Sequence, residues 1–227
     1  NTFDYKMYYL GDMKLNLQYL PNLCDEYIAY IKSIASMTKK CIVLDLDNTL
    51  WGGVIGEDGL EGIKLGPTPE GRPFMEFQKY LLSLFHRGII LAVNSKNNPE
   101  DALEVFRNHP YMVLKENHFA GIQINWKDKV TNMRALAKEI NIGLDSMVFI
   151  DDDDMNREMM KEFLPEVTVV DLPKDSALYV KTLTNLRLFD SMSITKEDEQ
   201  KGQMYAEEKN RRKLAHETMD LTEYLRK

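Results

Sequence analysis

Three short apolar runs, CIVL at 41–44, IILAV at 89–93 and MVFI at 147–150, each pass directly into polar or acidic residues. Runs this short and apolar at every position suit strands covered on both faces, not strands with one wet side. Segments with helical spacing lie between them. The pattern predicts strands over 41–46, 89–93, 121–124, 147–150 and 167–170, alternating with helices over 73–87, 99–108, 127–140 and 155–163. Alternation of this kind describes an α/β three-layer sandwich around a parallel central sheet.

The first forty residues read as helical, with Leu20, Leu23, Tyr27, Ile31 and Ile34 three or four apart and Pro21 fit for a first turn. The residues from about 195 to 227 are dense in charge and read as an exposed helix or linker. Three regions are therefore expected: an N-terminal helical extension over 1–39, a core over 40–190, and a charged tail over 191–227. Glycines at 52, 53, 56, 59, 62 and 66, with Val54-Ile55 and Ile63-Lys64-Leu65 flanking Glu57-Asp58-Gly59, read as a β-hairpin flap over about 51–66.

The net charge of −7, from 36 acidic and 29 basic residues, argues against a nucleic-acid surface. Two cysteines are too few for a disulfide framework, so a reducing, cytoplasmic setting is expected. No stretch reaches the roughly 18 apolar residues of a membrane span, and no signal peptide is evident. A start at Asn1 suggests a piece of a longer chain with further domains.

In a parallel α/β sheet, ligands bind beyond the carboxyl ends of the strands. Asp45 and Asp47 lie at such an end, two apart, and invite a hard divalent cation. The blander reading is that they cap the following turn. Ser95 and Lys96 follow the strand at 89–93, Asp151 and Asp152 follow the strand at 147–150, and Lys129 opens a helix between them. An acid pair, a hydroxyl, an amine and a second acid pair converging on one edge could transfer a phosphoryl group through a metal ion and an aspartyl-phosphate.

These residues resemble the four motifs of the haloacid dehalogenase superfamily: D-x-D-x-T at 45–49, Ser95, Lys129 and Asp151-Asp152. The resemblance implies Asp45 as nucleophile and Asp47 as general acid, then base, oriented by Thr49. It implies Ser95 and Lys129 on the phosphoryl oxygens, and Mg²⁺ held by Asp45, the Asp47 carbonyl and Asp152, with Asp151 behind them. Thr49, Lys96, Asn97 and Arg157 are candidate substrate-binding residues. Lys127, two residues before Lys129, is the rival amine. The 50 residues from Asp45 to Ser95 and the 34 from Ser95 to Lys129 leave no room for a cap domain, so only the flap would cover the site.

The stretches KKCIVLDLDNTLWGGVIGEDGLEGIKLG, AVNSKNN, INWKDKVTNM, VFIDDDDMNRE and EDEQKGQMYAEEKNRR look like the narrower FkbH-like family, from about Tyr5 to Arg212. That likeness implies a phosphorylated three-carbon substrate, 1,3-bisphosphoglycerate, whose glyceryl unit is loaded onto the phosphopantetheine thiol of an acyl carrier protein with removal of phosphate. The chain departs from the family at Asp153-Asp154, where Asn-Pro is usual. Asp154 could instead cap the next helix. Arg157 keeps the family position, and could either grip a substrate anion or simply face solvent. Cys41 and Cys24 are expected to be packed, Trp51 to be buried, and His86, His109, His118 and His216 to be structural or surface residues.

Overall fold

The computed structural model describes residues 2–35, 38–190, 195, 200–209 and 211–212. The chain divides into two compact units, residues 1–38 with 190–193, and residues 39–189 with 194–227.

In the first unit, α1 spans Tyr5–Gly11 and α2 spans Leu20–Ile34. The Asp4 carboxylate starts α1 by accepting from the Met7 amide at 3.0 Å, and Pro21 sits in the first turn of α2, where it costs no hydrogen bond. Cys24 is exposed, which corrects the expectation that it is packed.

The second unit carries five strands: β1 (Cys41–Leu44), β2 (Ile90–Ser95), β3 (Phe119–Ile124), β4 (Met147–Asp151) and β5 (Thr168–Asp171). They form one sheet in the order β3-β2-β1-β4-β5, and every pairing is parallel. With β1 at the centre, its four residues have no exposed face, which is why all four are apolar. Alternate residues feed two cores. Ile42, Leu44, Leu91, Val93, Val148 and Ile150 pack with α4 (Arg72–His86), α5 (Pro99–Asn108) and α8 (Tyr179–Asn185). Cys41, Val43, Ile90, Ala92, Met147 and Phe149 pack with α6 (Lys129–Ile140) and α7 (Asp154–Phe163). Phe77, Leu81 and Leu84 of α4 are fully buried, each contributing about 1.5–3 kcal/mol of transfer free energy. Three layers result, as expected; α8 had no counterpart in the sequence reading.

The hairpin expected over 51–66 does not form. Gly52 and Lys64 make one antiparallel bridge, with N–H to O distances of 3.0 and 2.7 Å, and the segment between them is the helix α3 (Ile55–Gly62). Asp58 causes this. Its carboxylate accepts from the Val54 amide at 2.8 Å, while the Val54 carbonyl accepts from Glu57 and Asp58, closing a helical turn. Gly59, at φ 67°, then kinks the helix where a side chain would be strained. Among the described residues, the Asp45–Ser95 interval holds only α3, α4 and β2, and the Ser95–Lys129 interval only α5, β3 and a short 3₁₀ turn, so no cap domain stands between the motifs.

The charged tail is also corrected in part. Residues 200–209 form a helix that is not simply exposed. Gly202 and Ala206 are buried, and a Cβ at 202 would come within 2.9 Å of the Phe85 ring. Lys209 donates to the carbonyls of Glu116 and Phe119 at 3.2 and 3.1 Å. Residues 213–227, with His216, lie outside the described residues.

Candidate active site

The Asp45 amide donates to the Ile150 carbonyl at 2.9 Å, continuing the β1–β4 ladder one residue past the strand. That bond fixes Asp45 beside the end of β4. Strand alternation puts its side chain on the α6 face, where Lys129 begins the helix. The Asp128 side chain sets that start by accepting from the Thr131 amide at 2.7 Å, and Lys127 is left exposed before it. Lys129 is therefore the buried amine and Lys127 is not.

Lys129 Nζ lies 2.9 Å from Asp45 Oδ1 and 2.5 Å from Asp151 Oδ2, with all three side chains nearly sealed from water. Burial pushes the Lys129 ammonium down, but the two carboxylates outweigh it and hold Lys129 above its ordinary value. Burial and the Asp45 charge push Asp151 up, against the pull of Lys129. Burial, Asp45 and Asp151 together push Asp152 up to about 6. One cation thus faces three carboxylates, and the excess is negative.

Carboxylate oxygens of Asp45, Asp151 and Asp152 lie within 4.8 Å of one another. An all-oxygen, partly buried, over-negative cluster fits a hard divalent cation such as Mg²⁺. The Asp151 carboxylate is engaged on both oxygens, by Lys129 and by the Asp153 amide at 2.9 Å.

Asp47 is held differently. Its Oδ1 accepts from the Trp51 indole at 2.9 Å and from the Ile55 amide at 3.1 Å, and its Oδ2 accepts from Asn97 Nδ2 at 2.8 Å. Trp51 is buried as expected, yet its polar end also positions this carboxylate, a role the sequence reading missed. The signal was available, because a buried indole N–H needs an acceptor and Asp47 lies one turn away. Asn97, read as a substrate contact, instead spends its amide on Asp47 and, at 3.4 Å, on the hydroxyl of Ser95. Thr49 was expected to orient Asp47; its buried hydroxyl makes no hydrogen bond among the described residues, and the indole and amides do that work.

Ser95 ends β2 and is buried, its hydroxyl accepting from the Asn97 amide at 3.4 Å. Lys96 is exposed and lies near Asp128, whose carboxylate, held down mainly by its bond to Thr131, also feels the Lys96 charge. Arg157 matches neither expectation. It is buried, its Nη1 donates to the carbonyls of Asp151 and Asp152 at 2.7 Å each, and its Nη2 pairs with Asp154. Its guanidinium braces the acid-bearing turn rather than reaching outward. The cap of α7 is Asp153, which accepts from the Met155 amide at 2.8 Å, and not Asp154.

The loop itself has two further supports that no motif announced. Asn48 adopts φ 53° and accepts from the Gly53 amide at 2.8 Å, while its carbonyl accepts from the Tyr179 hydroxyl at 3.0 Å. Gln78, fully buried in α4, donates to the Leu50 carbonyl at 2.7 Å and accepts from the Val113 and Leu114 amides. Cys41 begins β1, at the end away from Asp45, and burial pushes its thiol up to about 12, so it is core as expected. His109 and His118 each accept a nearby backbone amide and His86 is exposed, consistent with structural or surface roles.

No family model and no curated protein matches the chain. Among solved structures, the N-terminal part of protein BF1531 from Bacteroides fragilis, which contains a phosphatase domain and is complexed with Mg, matches at 44% identity with a TM-score of 0.77. The match covers 85% of this chain and 51% of that one, so this chain spans about half the length of its relative. A haloacid dehalogenase family enzyme from Bacteroides thetaiotaomicron, complexed with magnesium and inorganic phosphate, matches at 16% identity, TM-score 0.41, over 60% of this chain and 95% of its own. The corresponding domain of the Legionella pneumophila effector Lem4, an inactive mutant, matches at 14%, TM-score 0.43, over 66% and 93%. These last two are too distant to bear on function. No helix among the described residues is long and apolar enough to cross a membrane. The chain is an α/β protein of the haloacid dehalogenase-like fold, similar over most of its length to a segment of BF1531 that contains a phosphatase domain.

Proposed function

We propose that the protein is a Mg²⁺-dependent phosphatase or phosphotransferase that works through an aspartyl-phosphate at Asp45. The observation that carries this reading is Lys129 seated between Asp45 and Asp151, with Asp152 completing an oxygen cluster at the end of the central strand. Asp45, Asp152 and the Asp47 carbonyl would hold the ion, and Asp151, already engaged by Lys129 and Asp153, would support them. Mg²⁺ there would supply positive charge against the phosphoryl group.

In the first step, an Asp45 oxygen bonds to phosphorus, the ester P–O bond breaks, and the leaving oxygen takes a proton from Asp47. In the second, water attacks phosphorus, gives its proton to Asp47, and the Asp45–phosphorus bond breaks to release phosphate. Trp51, the Ile55 amide and Asn97 keep Asp47 pointed for both transfers. Ser95 and Lys129 bind the non-bridging oxygens. Turnover of p-nitrophenyl phosphate with and without Mg²⁺ tests the reading. Activity that needs Mg²⁺ and disappears in Asp45→Asn supports it; metal-independent activity would sink it.

The finer reading is glyceryl loading from 1,3-bisphosphoglycerate onto the phosphopantetheine thiol of an acyl carrier protein. Its support is the FkbH-like wording around all four motifs, together with an uncapped strand end that a protein-borne arm could approach. Cys41 is too deep to serve as the acyl carrier, which leaves the partner's thiol or the exposed Cys24. Mass gain on a phosphopantetheinylated carrier after incubation with 1,3-bisphosphoglycerate is the expected result. Phosphatase activity without any such gain would leave only the coarser function.

A further inference from the structure

A cavity of about 490 Å³ opens beside the acid cluster and shares Asp152 with it. One wall is apolar, built from Phe74 of α4, Leu172 and Pro173 after β5, and Tyr179 of α8. The volume lies in the range of small-ligand sites, and the lining is mixed, with Asn48, Asp152, Asp154, Arg157, Lys174 and Ser176 set against the apolar wall.

The charges around the cavity are unequal in what they can still do. Arg157 is used up: it braces two backbone carbonyls and pairs with Asp154, which neutralises Asp154 in turn. Asp152 belongs to the oxygen cluster. Lys174 is the remaining charge on the wall, and it makes no ion pair among the described residues. The Tyr179 hydroxyl already donates to Asn48, so the ring, not the hydroxyl, is what Tyr179 offers. A ligand that fits these walls has an apolar body and an anionic end. Its phosphoryl group would lie at Asp45, since the cavity and the cluster share Asp152.

We propose that this cavity is the leaving-group subsite, and that Lys174 selects phosphate esters whose organic part carries a second anion. The proposal rests on the phosphatase reading above. A carboxylate or a second phosphate would satisfy Lys174 equally well in kind, as a point charge facing an ammonium.

The test uses aryl phosphates that share one ring: one with a para carboxylate, one with its neutral methyl ester, and one with a second phosphate. The quantity read is kcat/KM for each anionic ester divided by that for the neutral one, in the presence of Mg²⁺. Wild type is expected to prefer the anionic esters, and Lys174→Ala to lower the ratio about tenfold, the scale of one charge-assisted hydrogen bond. Lys174→Glu should lower it further, and Lys174→Arg should restore it. Whichever of the two anionic esters loses more in Lys174→Ala identifies the anion. A ratio that is the same in wild type and Lys174→Ala, while all esters are turned over, overturns the subsite and leaves the phosphatase reading standing. Absence of Mg²⁺-dependent turnover of every ester by wild type overturns both.

Discussion

Asp45 and Asp47 stand two residues apart, yet they are held by opposite means. Asp45 meets full charges brought from far along the chain, Lys129 on α6 and the acid pair at the end of β4. Asp47 meets only neutral donors, and two of the three, Trp51 and the Ile55 amide, come from the segment that follows it within eight residues. The first environment exists only when the whole sheet is assembled, and it governs whether the site can hold an ion. The second is local, and it governs where one carboxylate points. A site can thus separate charge balance from aim, using remote residues for one and near ones for the other.

The largest effect should come from removing the carboxylate on the charged side. Asp45→Asn is expected to lower Mg²⁺-dependent turnover by at least about 1000-fold, as loss of a nucleophile does. Residual activity within tenfold of wild type would remove Asp45 from the chemistry. Next, Lys129→Ala strips two buried carboxylates of their shared cation. Denaturant unfolding without Mg²⁺ should show a loss of about 3–5 kcal/mol, with part regained when Mg²⁺ is added. An unchanged midpoint would mean that the charged cluster is not structurally coupled.

On the neutral side, Trp51→Phe keeps an aromatic ring facing Phe106, against which the indole packs edge-on at 6.1 Å, and removes the indole N–H together with part of the bicycle. Turnover should fall about 10- to 100-fold at nearly constant KM, with a stability cost of about 1 kcal/mol. Loss of KM instead of kcat would contradict a purely orienting role. The smallest effect separates the two environments by pH. Because Asp152 is pushed up to about 6, folding without metal favours its protonated form. That share of stability is present in full below the ordinary carboxylate range and is lost as pH rises through about 6. Mg²⁺ affinity should run the other way, rising across the same window, and Asp152→Asn should flatten the stability trend; calorimetric titration and unfolding at stepped pH read both.

The parallel sheet and the residues at its strand ends were legible in the sequence for one reason. Strands buried on both faces must be apolar throughout, so the first polar residue after each run marks a strand end and hence a site. Asp45, Asp151 and Asp152 follow from that rule and Ser95 lies one residue past it, whereas Lys129 stands out as the start of a helix between strands. The flap was misread because its glycines suggested a tight turn, whereas the Asp58 carboxylate on the Val54 amide decides for a helix. Arg157 was misread because charged residues usually face solvent, and nothing in its local pattern shows two carbonyls waiting 5 and 6 residues back. Asp153 and Asp154 are equivalent as letters; only the backbone turn, with Asp153 extended and Asp154 already helical, tells cap from first helical residue. The tail helix looked like a solvated charge run, since its buried contacts are made by Gly202 and Ala206, residues with no hydrophobic signature of their own.

The bond from the Tyr179 hydroxyl to the Asn48 carbonyl spans 131 positions of chain. During synthesis, the loop that bears both aspartates emerges long before the helix that steadies it. A nascent chain could pair its first strands and still lack a finished reaction centre. The loop would then be steadied only after α8 has docked, however early its own residues leave the ribosome.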